Sequence, residues 1–403
     1  MKSHSFSVLL FAIAPCIAQR DGEHPLLDDA ECDCFLTNGS DPFFYSNHLF
    51  FDFRDLSSYA GVPDVITNAT LGSFAPPTSD YFTSDAWTDV WELQGWNNTR
   101  EGGDGDELLG DATVLMVNSP NNVYIQQGDD EQLGTFMTMR TKRLPDFQSA
   151  AEFQTANLNY RFLSLRMLAR TIGSPGAVTA MFTYRDGEAL ADVQEADIEI
   201  LTNGPRNVVQ YTNQPSYTAN GGEYPEATRN TTMPDNLRWS DWVVHRLDWM
   251  PSRSMWYVDG QEVASIEVQT PRDASGVNFN VWSNGGSWSG NMSTYDEAFM
   301  QIQWIEMVFN TTEDEEMRRR STPHEAIQAG PRGRLTRRQA DHEGCAVVCS
   351  IDETSEIGTA ALLWESRADT HSLKGVLWHN PAGPIAVALG TLLIFCLWFN
   401  VPL

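Results

Sequence analysis

The chain has 403 residues, 41% of them apolar, which is enough to bury a large core. Its 54 acidic residues outnumber 26 basic ones, for a formal net charge of -28. Such a charge repels phosphate-rich partners and excludes nucleic-acid binding, while neutral ligands such as polysaccharides remain open.

Lys2, the apolar run of residues 8–14 and the small-residue end Cys16-Ile17-Ala18 read as a secretory signal peptide over residues 1–18. The mature chain then folds in an oxidising compartment. With Cys396 set aside in the C-terminal tail, it keeps Cys32, Cys34, Cys345 and Cys349, an even number. A bridge between Cys32 and Cys34 would be badly strained. Two bridges are therefore expected to tie the N-terminal segment, residues 19–45, to Cys345 and Cys349 in residues 342–384, and either crossed pairing satisfies the spacing. A zinc site is not expected, and no metal is called for. Six acceptor sequons, at Asn38, Asn68, Asn97, Asn230, Asn291 and Asn310, agree with secretion.

From residue 46 to residue 312, short β-branched and aromatic runs recur. They lie at 49–53, 113–117, 123–126, 135–139, 161–169, 177–183, 193–201, 242–249, 255–258, 263–268, 277–282 and 299–309. Gly, Pro, Asn and Asp separate them, and long stretches of helical period are scarce. The pattern predicts an all-β domain, a two-sheet sandwich of the jelly-roll kind. Val258-Asp259-Gly260-Gln261 between two such runs is a hairpin signal.

The run at 193–201 contains Glu195-Ala196-Asp197-Ile198-Glu199. A strand's period of two puts Glu195, Asp197 and Glu199 on one face, and Ala196, Ile198 and Ile200 on the other. Three carboxylates in a row repel one another. Glycoside hydrolysis is a task that needs such a group, because it uses paired carboxylates flanking one bond. With a rise of ~3.3 Å per residue, the α-carbons of Glu195 and Glu199 lie about 13 Å apart. Two long side chains on a curved strand must therefore lean together to approach the ~5–5.5 Å that a retaining glycosidase requires.

Tyr211 and Asn213, in the following segment, are candidates to hydrogen-bond a substrate near Glu195. Trp282 and Trp288 flank a loop with Asn284 and two glycines, and they are candidates to stack on sugar rings. His245 reads as a hydrogen-bonded strand histidine rather than a proton carrier. Trp239, Trp242, Trp249 and Trp256 read as core and rim.

After Asn310 the composition changes. An acidic stretch, a basic stretch and a polar Gly/Arg-containing stretch predict a disordered charged linker over residues 313–341. Arg337-Arg338 within it reads as part of a solvated charge run in preference to a processing site. Residues 385–403 are uncharged and long enough to span a thin bilayer, with no basic residue after them. A glycolipid-anchor signal is favoured over a transmembrane helix, so the expected location is secreted, at the cell surface or cell wall.

Four ordered segments resemble glycoside hydrolase family 16. Glu195-Ala196-Asp197-Ile198-Glu199 is similar to its catalytic signature, and Gln210-Tyr211-Thr212-Asn213 to its Gln-Thr-Asn element. His245 to Trp249 followed by Trp256 to Gly260 resembles its central hairpin, and Val281 to Trp288 its aromatic substrate-binding segment. The resemblance covers about residues 49–309. It implies a concanavalin A-like sandwich with an open cleft, a β-glucan substrate and double displacement with retention. By position, Glu195 would be the nucleophile, Glu199 the acid and then base, and Asp197 the helper that tunes Glu195. Ala196 departs from the larger aliphatic residue usual in the family, and it faces the core.

The expected function is thus a secreted endo-β-glucanase acting on β-1,3 or mixed β-1,3/1,4 linkages. A wall transglycosylase joining glucan or chitin chains uses the same three acids and is the alternative. A non-catalytic carbohydrate-binding protein is a further one, since a fold does not fix a function. No cofactor is called for, a structural calcium ion is left open, and a monomer is expected.

Overall fold

The computed structural model describes residues 24–100, 107–129, 133–314, 345–354 and 356–365. The expected signal peptide at 1–18, residues 315–341 of the expected linker with Arg337-Arg338, and the tail at 385–403 lie outside the described residues.

A 16-stranded, almost wholly antiparallel sheet folds over on itself into two facing leaves, a β-sandwich. The first leaf runs Thr228–Thr232, Val208–Gln214, Gln194–Leu201, Val178–Arg185, Gly276–Trp282 and Gln148–Thr155 in spatial order. It continues into the second leaf, Thr135–Arg143, Glu297–Thr311, Tyr160–Gly173, Val243–Met250, Arg253–Val258 and Gln261–Ile266. The predicted runs fall on strands, although only the end of the 113–117 run is extended, in Met116–Asn118. Asp259 and Gly260 adopt φ of 45° and 78°, the left-handed pair of a two-residue hairpin turn, and Val258 pairs with Gln261.

Period-two patterning builds the core between the leaves. Phe153 and Phe279, neighbours in register, stack at 4.7 Å and 9°, and Trp91 sets its edge against both at 5.1 and 5.7 Å. Across the leaves, Tyr211 lies 5.5 Å from Trp256. Each such buried side chain contributes roughly 1.5–3 kcal/mol by leaving water. Trp239, Trp249 and Trp256 are in this core and Trp242 is half-buried. His245 requires correction: it is buried with neither ring nitrogen hydrogen-bonded among the described residues. Burial pushes it down to about 4, so it stays neutral inside the sandwich.

The two cysteine-bearing segments form a second, five-stranded sheet from Leu26–Leu27, Cys34–Leu36, Phe44–Tyr45, Val347–Ser350 and Ala360–Glu365. Of the two crossed pairings, the structure forms Cys32–Cys349 and Cys34–Cys345, with Cα–Cα distances of 5.9 and 5.6 Å. This sheet covers the outer face of the second leaf, where Arg246, Arg166 and Glu306 stand side by side in register. Arg166 Nε donates to Glu306 at 2.7 Å, and Arg166 and Arg246 share Asp352 of the C-terminal segment at 3.3 and 3.0 Å. His48 bridges Asp29 at 2.8 Å and Glu306 at 3.0 Å. Burial alone would depress the imidazole, but the hydrogen bonds to Asp29 and Glu306 outweigh it and hold the pKa up at about 9.

Among the sequons, Asn38, Asn68, Asn97, Asn230 and Asn291 are exposed. Asn310 is corrected as a glycan acceptor because it is buried. Its Nδ2 donates to the Phe44 carbonyl at 3.1 Å, and its Oδ1 accepts from the Ser46 amide at 2.9 Å.

Candidate active site

The acid strand Gln194–Leu201 pairs with Val178–Arg185 on one side and Val208–Gln214 on the other, deep within the first leaf. Ala196, Ile198 and Ile200 enter the core, where Ala196 is fully buried. Glu195, Asp197 and Glu199 point together into an open cleft of about 480 Å³ on the outer face. The register carries this face across the leaf in rows. Glu199, Ala180, Asn280 and Glu152 form one row, and Asp197, Phe182, Asn278 and Gln154 the next. All eight line the cleft.

Burial raises all three acids. Glu195 is pushed up to about 7 by desolvation, with Asp197 pulling it back as a hydrogen-bonding neighbour. Glu199 is also pushed up to about 7, by desolvation and then by the Glu195 charge, while the Trp288 indole N–H, 3.3 Å from its Oε1, opposes the rise. Asp197 lies well above the ordinary carboxylate range, through desolvation and the charges of Glu195 and Glu199. Neither Asp197 oxygen has a well-aligned partner among the described residues, so its contact with Glu195 is short of ideal geometry. The ordering still follows: Asp197 keeps its proton and faces Glu195, which favours the ionised form of Glu195. Near neutral pH the face thus offers one carboxylate able to attack and one carboxylic acid able to donate.

Trp282 and Asn284 line the cleft, and Trp288 stands 42% exposed against Glu199. Tyr211 and Asn213 require correction. They pair with Ile198 and Ala196, so the period of two turns them inward with those residues. Tyr211 is buried against Trp256, and Asn213 donates to the Val268 carbonyl at 3.0 Å. Their neighbours Thr212 and Gln214, opposite Asp197 and Glu195, share the acid face instead. Tyr211→Phe is therefore expected to change kcat/KM by less than about threefold in steady-state assays, since the ring packs in the core and does not reach the cleft.

Sequence reasoning missed the far end of the cleft. Glu152 accepts from Trp96 Nε1 at 3.2 Å and from Asn118 Nδ2 at 3.3 Å, and burial raises it to about 7 against those two hydrogen bonds. Trp96 is 40% exposed beside it. The signal was the alternation Ala151, Glu152, Phe153, Gln154, which lies in a run too polar to stand out as a strand.

Residues 112–306 match the family model described as Glycosyl hydrolases family 16. These residues are a family 16 glycosyl hydrolase domain. All three acids and the aromatic loop fall inside it. The chain is 27% identical over 179 residues to a Beta-glucanase of Fibrobacter succinogenes, covering 40% of this chain and 47% of that protein. It is 23% identical over 253 residues to a Beta-glucanase of Bacillus amyloliquefaciens, covering 62% of this chain and 92% of that one. The chain thus spans about half the length of the first of these relatives. A prokaryotic beta-1,3-1,4-glucanase (lichenase) derived from a mouse hindgut metagenome aligns with a TM-score of 0.41 and 18% identity, over 66% of this chain and 99% of that one.

Proposed function

We propose that this family 16 chain is a secreted endo-β-glucanase that hydrolyses β-1,3 or mixed β-1,3/1,4 linkages with retention. The observation that carries the reading is the placement of Glu195, Asp197 and Glu199 on one face of one strand, in an open cleft, with their proton affinities raised. The β-glucanases among its relatives supply the substrate class.

In this reading ionised Glu195 attacks the anomeric carbon, and Glu199 gives its proton to the departing glycosidic oxygen. The ester between Glu195 and the sugar is then cleaved by water, whose proton returns to Glu199. Asp197 remains protonated and hydrogen-bonds Glu195 as it loses and regains charge. Trp282, Asn284, Trp96 and Glu152 hold sugar rings along the cleft. Secretion, glycans on the five exposed sequons, and attachment through the tail at 385–403 complete the proposal. The two disulfides support passage through an oxidising compartment.

Product analysis on laminarin, lichenan and chitin-derived acceptors tests it. Shortened β-glucan products with retained anomeric configuration are expected. Products longer than the substrate would replace the hydrolase by the transglycosylase, and no turnover of any glucan would leave a carbohydrate-binding protein. A bell-shaped kcat/KM profile centred near pH 7 is also expected. The acid limb reports protonation of Glu195 and the alkaline limb loss of the Glu199 proton, both near 7.

A further inference from the structure

Beside the cleft, which Asn284 lines, two loops clasp each other. Asn284 closes the first loop on itself: its Oδ1 accepts from the Gly286 amide at 2.9 Å and from the Ser289 hydroxyl at 3.1 Å. The second loop, residues 111–114, docks on it. Thr113 and Val114 amides donate to the Asn284 carbonyl at 2.9 and 3.0 Å, and the Thr113 hydroxyl donates to the Gly285 carbonyl at 2.9 Å. At the tip, Asp111 Oδ2 accepts from both the Ser287 amide at 2.8 Å and the Ser287 hydroxyl at 2.6 Å. These hydrogen bonds hold the Asp111 carboxyl below its ordinary pKa, so it is the charged acceptor that grips Ser287.

The two loops approach closely at a pair of glycines. Gly285 has φ +70°, and a Cβ there would strike the Thr113 hydroxyl; a Cβ at Gly286 would strike Asp111 Oδ1. The residue after Ser287 is Trp288, whose indole N–H meets Glu199 Oε1. Trp288 is 42% exposed and stands between Ser287, gripped by Asp111, and buried Ser289, whose hydroxyl Asn284 holds, so the grip on Ser287 fixes one side of its backbone.

We infer that Asp111 is a positioning residue: through Ser287 it holds Trp288 against Glu199, and so sets the placement and proton affinity of the group proposed as acid and base. The inference rests on the proposed hydrolase reading, but the contact can be read without turnover. A hydrogen bond donated to a carboxylate favours its ionised form. Loss of the latch therefore makes Glu199 harder to deprotonate, moves the alkaline limb upward, and weakens Glu199 as the proton donor of the first step.

The test compares Asp111→Ala, Asp111→Glu, Trp288→Phe and the double variant Asp111→Ala/Trp288→Phe. Removing one charge-assisted latch is expected to lower kcat on β-glucan about tenfold with little change in KM. The alkaline limb should move upward in Asp111→Ala as it does in Trp288→Phe, the double variant should be no worse than the worse single one, and Asp111→Glu should recover part of the loss. Additive losses, an unmoved alkaline limb, or a rise in KM alone would overturn the inference and leave Asp111 a structural or sugar-contacting residue. In the full-length protein without substrate, the ¹H–¹⁵N indole resonance of Trp288 should shift with a carboxyl titration, and Asp111→Ala should abolish that shift. An unchanged titration in Asp111→Ala overturns the latch whatever the activity. An intact latch signal with no glucan turnover in the parent overturns the hydrolase reading alone.

Discussion

Replacing Glu195 by Gln is expected to lower kcat on β-glucan by about 10⁴-fold or more, because no other group can form the glycosyl ester. Circular dichroism should remain that of the parent, since the amide is the same size and the site is partly open. The thermal midpoint of the variant should rise above that of the parent at alkaline pH. The Glu195 carboxyl has a folded pKa raised to about 7 by burial, so its penalty is absent below its unfolded pKa and appears as pH rises through 7. A midpoint that stays below the parent's at pH 8 would show that Glu195 is not buried at a cost. Glu199→Ala should lose activity on glucan but recover its first step on aryl glycosides whose leaving group needs no proton. Recovery by the Glu195 variant instead would exchange the two roles.

Glu306→Ala is expected to destabilise the protein by about 3–5 kcal/mol in urea titration, the cost of stranding buried charge. Glu306 is fully buried and receives His48, Arg166 and the Gly358 amide at once. Without it, His48 and Arg166 face each other across the seam between the leaf and the disulfide-bonded sheet. Activity below the melting range should be unchanged, because the network lies on the outer face of the second leaf and the cleft on the outer face of the first. The same contacts give a pH signature. His48 has its folded pKa raised to about 9 from 6.5, so its contribution is fully present below 6.5 and is lost as pH rises through 9. A His48→Gln variant whose stability keeps the parent's dependence across that window would remove His48 from the seam.

Most of the strands were legible because burial on one face leaves a period of two in the sequence. Val193 to Leu201 and Val277 to Trp282 are clear instances. Gln148–Thr155 was not legible, because its inward positions include Ser149 and Ala151, and buried polar or small side chains look like loop until their partners are known. Tyr211 and Asn213 show a different limit. The segment Gln210-Tyr211-Thr212-Asn213 was noticed, yet the cleft faces its even-numbered members. A one-residue difference in register exchanges the two faces of a strand, and a polar Asn facing inward disguises which face is which. The Nδ2 of the inward Asn213 donates to the main-chain carbonyls of Ile266 and Val268, which no local pattern announces.

The chain's own pattern determined that it forms β-sheet, that Glu195, Asp197 and Glu199 share a face, and that four cysteines join its two ends. These depend on alternation and counting, which are local or additive properties. Only the tertiary structure decided which cysteines pair, that Asn310 is closed to a glycan, that Glu152 and Trp96 extend the cleft, and that Asp111 reaches Ser287. Each of those joins residues far apart in sequence. Their meeting depends on how strands order themselves across a leaf and how loops at its rim interlock.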